Sequence, residues 1–315
     1  MANAFYTPGQ AALVAAKLAG QDAVLSALIS RNYTEELLGG GKGGAPIGIK
    51  MPTTLISRER AIDDVTTSII LDEIAETFKT VNLDRIHDYS AVGLSEKDLT
   101  LSLTDFSSQV LGPQSAAIVD ALEYKVAKAL LAVPLTTNLG TYDRLNPVPY
   151  FTAIRKRLRD QGVESGGLNM VVGTQVYADL LDAKAITDVS ESGSTEALRE
   201  AGVGRVRGFT VVESTRLPED EIVALHPDAM TLVTRAPVVP LGASFGAVIA
   251  AGGFQLRYIR DYDAMHTQDR SIVSTFSGIG ILPTFKIARN YTTRAVQTTE
   301  LPYGGILHLD TRPAA

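Results

Sequence analysis

"IGIKMPTTLISRERAIDDVTTSIILDEI", residues 47–74, decides how this chain is read. Two apolar runs, 47–51 and the β-branched 65–74, flank the polar and charged "TTLISRERAIDD", and a glycine-rich root, "GGGKGG" at 39–44, precedes them. The pattern describes a long two-stranded loop projecting from a body. An isolated pair of strands is marginal in water, so the loop needs a surface to lie against. In a chain of 315 residues the natural surface is another copy of the same protein. The tip charges Arg58, Glu59, Arg60, Asp63 and Asp64 then read as salt-bridge partners of a neighbouring copy, because they sit on a projection and not in a cleft where acid–base chemistry would need them.

On the N-terminal side, "TPGQAALVAAKLAGQDAVLSALIS" reads as two short helices, with Pro8 in a first helical position and Asp22 capping the second after Gly20. On the C-terminal side, "TFKTVNLDRIHDYSAV" continues as strand, Thr104 caps the turn "DFSSQVL", and Pro113 opens a long helix. In "PQSAAIVDALEYKVAKALLAV", Val119, Leu122, Val126, Leu130 and Val133 recur at three and four and form one apolar stripe, with Glu123, Lys125 and Lys128 mostly off it. A second lobe over 135–240 mixes helix from Pro147, strand "LNMVVG", helix after Thr174, helix "STEALREAG" and strands "RGFTVVEST" and "IVALH". After Pro240 the chain turns strand-rich, with "FQLRYIRDYDAM" alternating and "SIVSTFSGIGIL" pairing with it. The order is not a repeating βαβ, so the fold class is α+β.

Composition narrows the function. There is no cysteine, which excludes disulfides, thiolate metal sites and cysteine nucleophiles. A formal charge of −6 opposes the broad positive face that wraps nucleic acid. The start "MANAFYTPGQ" shows no secretory leader, no apolar run reaches the ~18 residues of a membrane span, and the chain is expected to be soluble with no membrane partner. Arg155, Lys156, Arg157 and Arg159 cluster on a helix, where the ordinary meaning is a solvated face.

The enzyme-like motifs are weak. "GASFG" at 242–246 matches a nucleophile elbow with Ser244 in the reactive place, but Pro237 and Pro240 interrupt the strand the elbow needs before it, and Gly252–Gly253 cuts short the helix it needs after it. In "GGGKGG" Lys42 is followed by glycine where a phosphate loop holds Ser or Thr. Asp261, Asp263 and His266 have the chemistry of a metal site, yet Asp261 and Asp263 share the face of an exposed, charged strand and fit a subunit contact better. The four histidines have no recurring ligand spacing. No catalytic residue, cofactor or metal is expected.

The order of helical arm, projecting loop, long helix, mixed lobe and returning strands resembles the major capsid protein of tailed bacteriophages with the Hong Kong phage capsid fold. Carrying strings are "ISRNYTEELLGGG", "AVGLSEKDLTLSLTDFSSQVLGPQ", "EALREAGVGRVRGFTVVEST", "HPDAMTLVTRAPVVP" and "RYIRDYDAMHTQDRSIVSTFSGIGIL", in this order across residues 10–285. The resemblance implies an N-terminal arm at 1–40, an extended loop at 41–76, a peripheral domain at 77–134 with the spine helix, an axial domain at 135–240, and peripheral return strands with the C-terminus at 241–315. It also implies self-assembly into hexamers and pentamers of an icosahedral head around double-stranded DNA, in the cytoplasm of a bacterial host. The implied partners are a portal protein, optionally a decoration protein, and packaged DNA held weakly and non-specifically. Some members carry a fused, cleaved scaffold before the arm; here the arm starts within about ten residues of Met1, so a separate scaffolding protein is expected. Some members also crosslink a loop lysine to asparagine, for which Lys42 and Lys50 are candidates by position, and Arg260, Asp261 and Asp263 are available for contacts between subunits. Two other readings stay open: an encapsulin-like cargo shell protein, and a serine hydrolase using Ser244.

Overall fold

The structure is a computed structural model and describes residues 8–31, 47–51, 58–69, 71, 77–83, 87–95, 106–183, 205–243, 245–251, 253–289 and 296–312. Among the described residues the α-helices are α1 (Pro8–Asp22), α2 (Gly112–Leu131), α3 (Val148–Asp160) and α4 (Thr174–Asp182), with a π-helical turn at Ser107–Leu111 leading into α2 and a 3-10 turn at Pro227–Ala229. The strands are β1 (Ile47–Met51), β2 (Thr77–Val81), β3 (His87–Ser95), β4 (Asn169–Val172), β5 (Arg205–Val206), β6 (Phe209–Glu213), β7 (Glu221–Leu225), β8 (Met230–Arg235), β9 (Phe245–Ala251), β10 (Phe254–Asp263), β11 (Gln268–Ile281), β12 (Thr284–Arg289), β13 (Val296–Leu301) and β14 (Ile306–Asp310).

The 20 residues of α2 make a rod about 30 Å long, at 1.5 Å per residue. Its expected stripe is buried: Val119, Leu122, Val126, Leu130 and, just past the helix end, Val133 face a core shared with α1 and a five-stranded sheet, and Ile118 joins them. Three polar side chains bolt it in place. Gln114 donates to the carbonyls of Ser90 and Ser271 at 3.0 and 2.8 Å, and Lys125 reaches Asp88 at 2.6 Å and Ser277 Oγ at 2.8 Å. Glu123, expected off the stripe, is only 1% exposed. Its carboxylate accepts hydrogen bonds from Leu25 N, Ser26 N and Ser26 Oγ at 2.7, 2.8 and 2.6 Å.

Those bonds explain a departure in the arm. One helix runs through Gly20 to Asp22, and residues 24–29 turn irregularly where a second helix was expected. With the N–H groups of Leu25 and Ser26 taken by Glu123, the segment closes a single turn from Leu28 N to the Leu25 carbonyl in place of a second helix and sends Leu25 and Ile29 into the core. Ala11, Ala12, Ala15, Ala16 and Ala19 give α1 a flat buried stripe that packs on α2, β9 and β10. Side chains this small let backbones approach closely.

The first sheet has the order β3-β11-β10-β9, and the far half of the 14-residue β11 pairs with β8. The second sheet has the order β14-β7-β4-β6-β5, with β4 and β6 parallel. It is walled on both faces. Met170, Val172, Ile222, Ala224, Leu307 and Leu309 face a second core with Phe151, Ile154 and Leu158 of α3, while the alternating Val171, Val223, Leu225 and Ile306 join the core of α2. Burial on both sides is why these strands read as continuous apolar runs. Strand β8, within 135–240, lies in the first sheet, and the C-terminal β14 closes the edge of the second.

The extended loop is rooted in β1 and β2, which pair only with each other among the described strands. Of the run 65–74, the described residues 65–69 and 71 are not strand; the second strand comes later, at Thr77–Val81. Asp64 supplies the reason, since its carboxylate accepts from Thr66 N, Thr66 Oγ1 and Thr67 N at 2.9, 2.9 and 3.0 Å and bends the chain there. The root seats on β11, where Gly278 lies against the backbone of Asn82 and Leu83, and Gly280 against Val81, with no room for a Cβ.

Candidate assembly surfaces

The loop tip leaves its apolar side chains uncovered. Ile62, Val65 and Leu71 are 102%, 90% and 87% exposed, and Ile69 is exposed as well. Of the expected contact residues, Arg58, Glu59, Arg60 and Asp63 are exposed. Arg60 and Asp64 pair with each other, through Arg60 Nε to Asp64 Oδ2 at 3.9 Å and through Arg60 Nη2 to the Asp64 carbonyl. Hydrogen bonds from Thr67 and Thr66 hold the Asp64 carboxyl well below the usual carboxylate range. The strongest outward signal of the tip is therefore apolar, and Asp64 serves the local turn. Lys42 lies outside the described residues, and Lys50 stands on β1 opposite Phe78.

The hairpin of β10 and β11 holds the other expected contacts, and it neutralises itself. Asp261 stands opposite Arg270, which grips it with a two-pronged bond at 3.1 and 2.8 Å and reaches Asp263 at 3.5 Å. Arg260 holds Asp269 at 2.7 Å. Asp263 Oδ2 meets His266 Nδ1 at 2.9 Å, and its Oδ1 accepts from Met265 N at 3.0 Å. The His266 hydrogen bond is the first cause that lowers the Asp263 carboxyl below its ordinary range. Two of the three atoms that a metal would want, Asp261 and Asp263, are thus engaged by arginine. Among the described residues no group of three or more His, Asp and Glu could hold a metal ion.

In the 135–240 lobe Arg207 and Gly208, both with positive φ, make the tight turn between β5 and β6, and Arg155 Nη1 of α3 reaches the Arg207 carbonyl at 2.5 Å. Arg155, one member of the basic cluster noticed in the sequence, thereby reaches the turn that carries Arg205 and Arg207, a juxtaposition that no local spacing announces. At the opposite end of the strands lie Glu213, Arg216, Glu219, Asp220, Glu221 and Asp310. His308 ties this lobe to α2: Nδ1 lies 2.8 Å from the Val133 carbonyl just past the helix end, and Nε2 lies 2.9 Å from Glu221 Oε2.

Ser244 lies outside the described residues, but its surroundings are described. The strand β9 begins at Phe245, where a nucleophile elbow requires a helix. No helix among the described residues is long and apolar enough to cross a membrane.

No family model matches the sequence, and no curated protein matches it. Solved structures do. A chain of Mycobacterium phage Che8 matches with a TM-score of 0.57 at 16% identity, over 92% of this chain and 91% of that one. The capsid structure of the cyanophage P-SCSP1u matches with a TM-score of 0.51 at 13% identity, over 86% and 84%. The virus-like particle from Pyrococcus furiosus matches with a TM-score of 0.50 at 12% identity, over 96% and 98%. What is shared at such identities is the path of the backbone, and by that path the chain has the Hong Kong phage-type capsid fold.

Proposed function

We propose that the chain is the major capsid protein of a tailed bacteriophage, assembling into hexamers and pentamers of an icosahedral head around double-stranded DNA. The observation that carries the reading is the likeness to phage chains over most of its length, the Che8 match covering 92% of it. The exposed apolar tip supports it, because a rooted loop that shows Ile62, Val65 and Leu71 to water is built to be covered by a neighbour. The role is structural, with no catalytic step. In this reading the protein belongs to the virion and assembles in the host cytoplasm with a separate scaffolding protein, a portal protein and optionally a decoration protein. Its net charge of −6 keeps packaged DNA loosely held. Lys42 and Lys50 are then the loop positions at which a covalent crosslink is to be sought.

An encapsulin-like cargo shell is the second reading, because the fold is shared by a virus-like particle from Pyrococcus furiosus as well as by phage chains. Electron microscopy of the protein, expressed together with its neighbouring reading frames, tests both. Closed shells support assembly, and a monodisperse monomer at high concentration overturns it. Nucleic acid inside the purified shells favours the phage head, whereas a co-purifying protein cargo favours the second reading.

A further inference from the structure

Just past α2 the chain touches β14 at a single bridge, Leu135 opposite His308, where Thr136 N donates to the His308 carbonyl at 2.7 Å. The two segments then part, as Asn138 and Gly140 take positive φ of 70° and 95°. Between them lies a cavity of about 490 Å³, the size of a ligand pocket, with Tyr142, Tyr150 and the half-exposed Leu135 in its lining. The two rings meet edge to face at 5.4 Å between centroids. Tyr142 commits its hydroxyl to Asp179 at 3.2 Å. Tyr150 is only 9% exposed, yet its hydroxyl has no hydrogen-bond partner among the described residues. Burial, and next the Asp310 carboxylate, raise this phenol above its ordinary range, so it remains a donor. Asp310 also lines the cavity. The His308 carbonyl turns away from β7 to meet Thr136, so by strand alternation Asp310, two residues on, turns its own N–H and carbonyl to the same side. The cations of the lining are already matched, Arg144 by Asp220 at 2.7 Å and Arg312 by Asp310 at 2.6 Å. Paired tyrosines, a spare hydroxyl, open backbone groups and balanced charge suit an uncharged, extended peptide that carries proline.

The chain displays such a peptide on its own surface. Residues 236–243, "APVVPLGA", carry no charge and form neither helix nor strand. Pro237 and Pro240 hold their own φ and bias the residues before them toward extended backbone. Arg257 Nη1 donates to the Val238 carbonyl at 2.8 Å and Val239 lies against Gly246, which leaves Val238 and Leu241 facing outward at 86% and 108% exposure. We propose that segment 238–241 of one copy docks in the tyrosine cavity of another, where Tyr150 donates to a carbonyl of the segment and Val238 and Leu241 are covered by Leu135 and the rings. The contact goes beyond the shell reading, because it is defined for the folded chain whether or not closed shells form.

A synthetic peptide and a pair of cysteines test this. The peptide APVVPLGA, acetylated and amidated to remove its end charges, should bind the dilute parent protein saturably by calorimetry, and the peptide with Val238→Ser and Leu241→Ser should not. Tyr150→Phe removes only the hydroxyl and should weaken binding about three- to tenfold. Leu135→Asp, at an exposed position, should weaken it more than about tenfold while circular dichroism stays at the parent value. Should Leu135→Asp misfold, Leu135→Ser carries that arm with a smaller loss. The chain has no cysteine, so engineered ones report contact without background. Leu135→Cys chains mixed with Leu241→Cys chains under mild oxidation should yield a dimer whose digest contains the bridge between positions 135 and 241, which forms only where Cα atoms come within about 7 Å. The proposal fails if millimolar peptide shows no saturable binding, or if both variants bind it like the parent, since the peptide would then sit elsewhere. It also fails if the peptide binds and the bridge never forms, which would assign the cavity to a proline-bearing segment of a different protein. Shells without peptide binding would sink this contact and spare the shell reading; peptide binding and the bridge without shells would do the reverse.

Discussion

The helix α2 and the extended loop are both elongated, and they are supported in opposite ways. The helix is held all along its length: by Gln114 in its first turn, by the stripe from Ile118 to Leu130, by Glu123 and Lys125 in its middle, and just past its end by the Val133 carbonyl against His308. Among its described residues the loop is seated at its root, where Val81 sits on Gly280, and turned at its tip, where Asp64 organises its own bend. Both are rich in apolar residues. In α2 those residues recur at helical spacing and are buried within one copy; in the loop Ile62 and Val65 have nothing of their own chain to cover them. The contrast separates what the monomer folds from what assembly must complete, and substitutions ordered by their effect on the isolated chain test it.

The largest effect belongs to Val126, fully buried in the middle of the stripe. Val126→Asp places an unpaired charge in that core, costs about 4 kcal/mol or more, and should abolish soluble, folded expression. A variant with unchanged circular dichroism would show that the helix can rotate away from its assigned face. Next comes Glu123. Glu123→Ala strands the N–H groups of Leu25 and Ser26 and the Ser26 hydroxyl in a buried place, at about 1–3 kcal/mol per unsatisfied group with partial relief by rearrangement. Thermal denaturation should show the loss, amide exchange should quicken first at residues 25 and 26, and Glu123→Gln should recover part of it.

These two residues also mark the reach of the sequence. Val126 announces itself, since a stripe at three and four residues survives any detail of packing. Glu123 does not: a glutamate beside a helical stripe reads as solvent-facing, and only a partner 97 residues away in the chain makes it a core residue. The same holds for His308, which looks like an incidental histidine until β14 crosses into the second sheet and brings it to Val133. The strands β10 and β11 were readable from alternation and length, and the bounds 254–263 and 268–281 follow the quoted runs closely. Their function was less readable. Alternation places Asp261 and Asp263 on one face, but whether those carboxylates wait for a neighbour or are met by Arg270 depends on strand register, which local sequence leaves open. The approach of Arg155 to the turn at Arg207 was invisible for the same reason, because the two lie 52 residues apart.

The self-neutralised hairpin should behave as an intermediate case. Asp261→Ala removes one cross-strand pair with Arg270, both partners being partly solvated, and such pairs contribute about 0.2–1 kcal/mol. The isolated chain should lose that much in denaturant unfolding, and assembly should persist. A block in assembly with no loss of stability would mean that Asp261 serves a neighbour after all, and that the geometry within one copy misstates its use.

The smallest effect on the isolated chain should come from the loop tip, and there the comparison is sharpest. Ile62→Ser, Val65→Ser and Leu71→Ser together remove side chains already 102%, 90% and 87% exposed, so there is almost no burial for the monomer to lose. Surface substitutions of this kind fall within about 0.5 kcal/mol, and the melting temperature should stay at the parent value. If a neighbouring copy covers the tip, the same three side chains each contribute about 1.5–3 kcal/mol on burial there. Removing them then weakens every symmetry-related loop contact by several kcal/mol, enough to shift a subunit–subunit equilibrium by more than a hundredfold at about 1.4 kcal/mol per factor of ten. The salt response separates this from a charge-driven contact. Exposed ion pairs are screened as the Debye length falls to ~3 Å at 1 M, whereas apolar burial is not weakened by screening. Parent assembly that resists high salt and triple-serine chains that stay folded but unassembled would locate the loop's function in its apolar tip. Shells formed normally by the triple-serine chain would show that Ile62, Val65 and Leu71 are exposed because nothing covers them, and the contrast with α2 would then be one of stability alone.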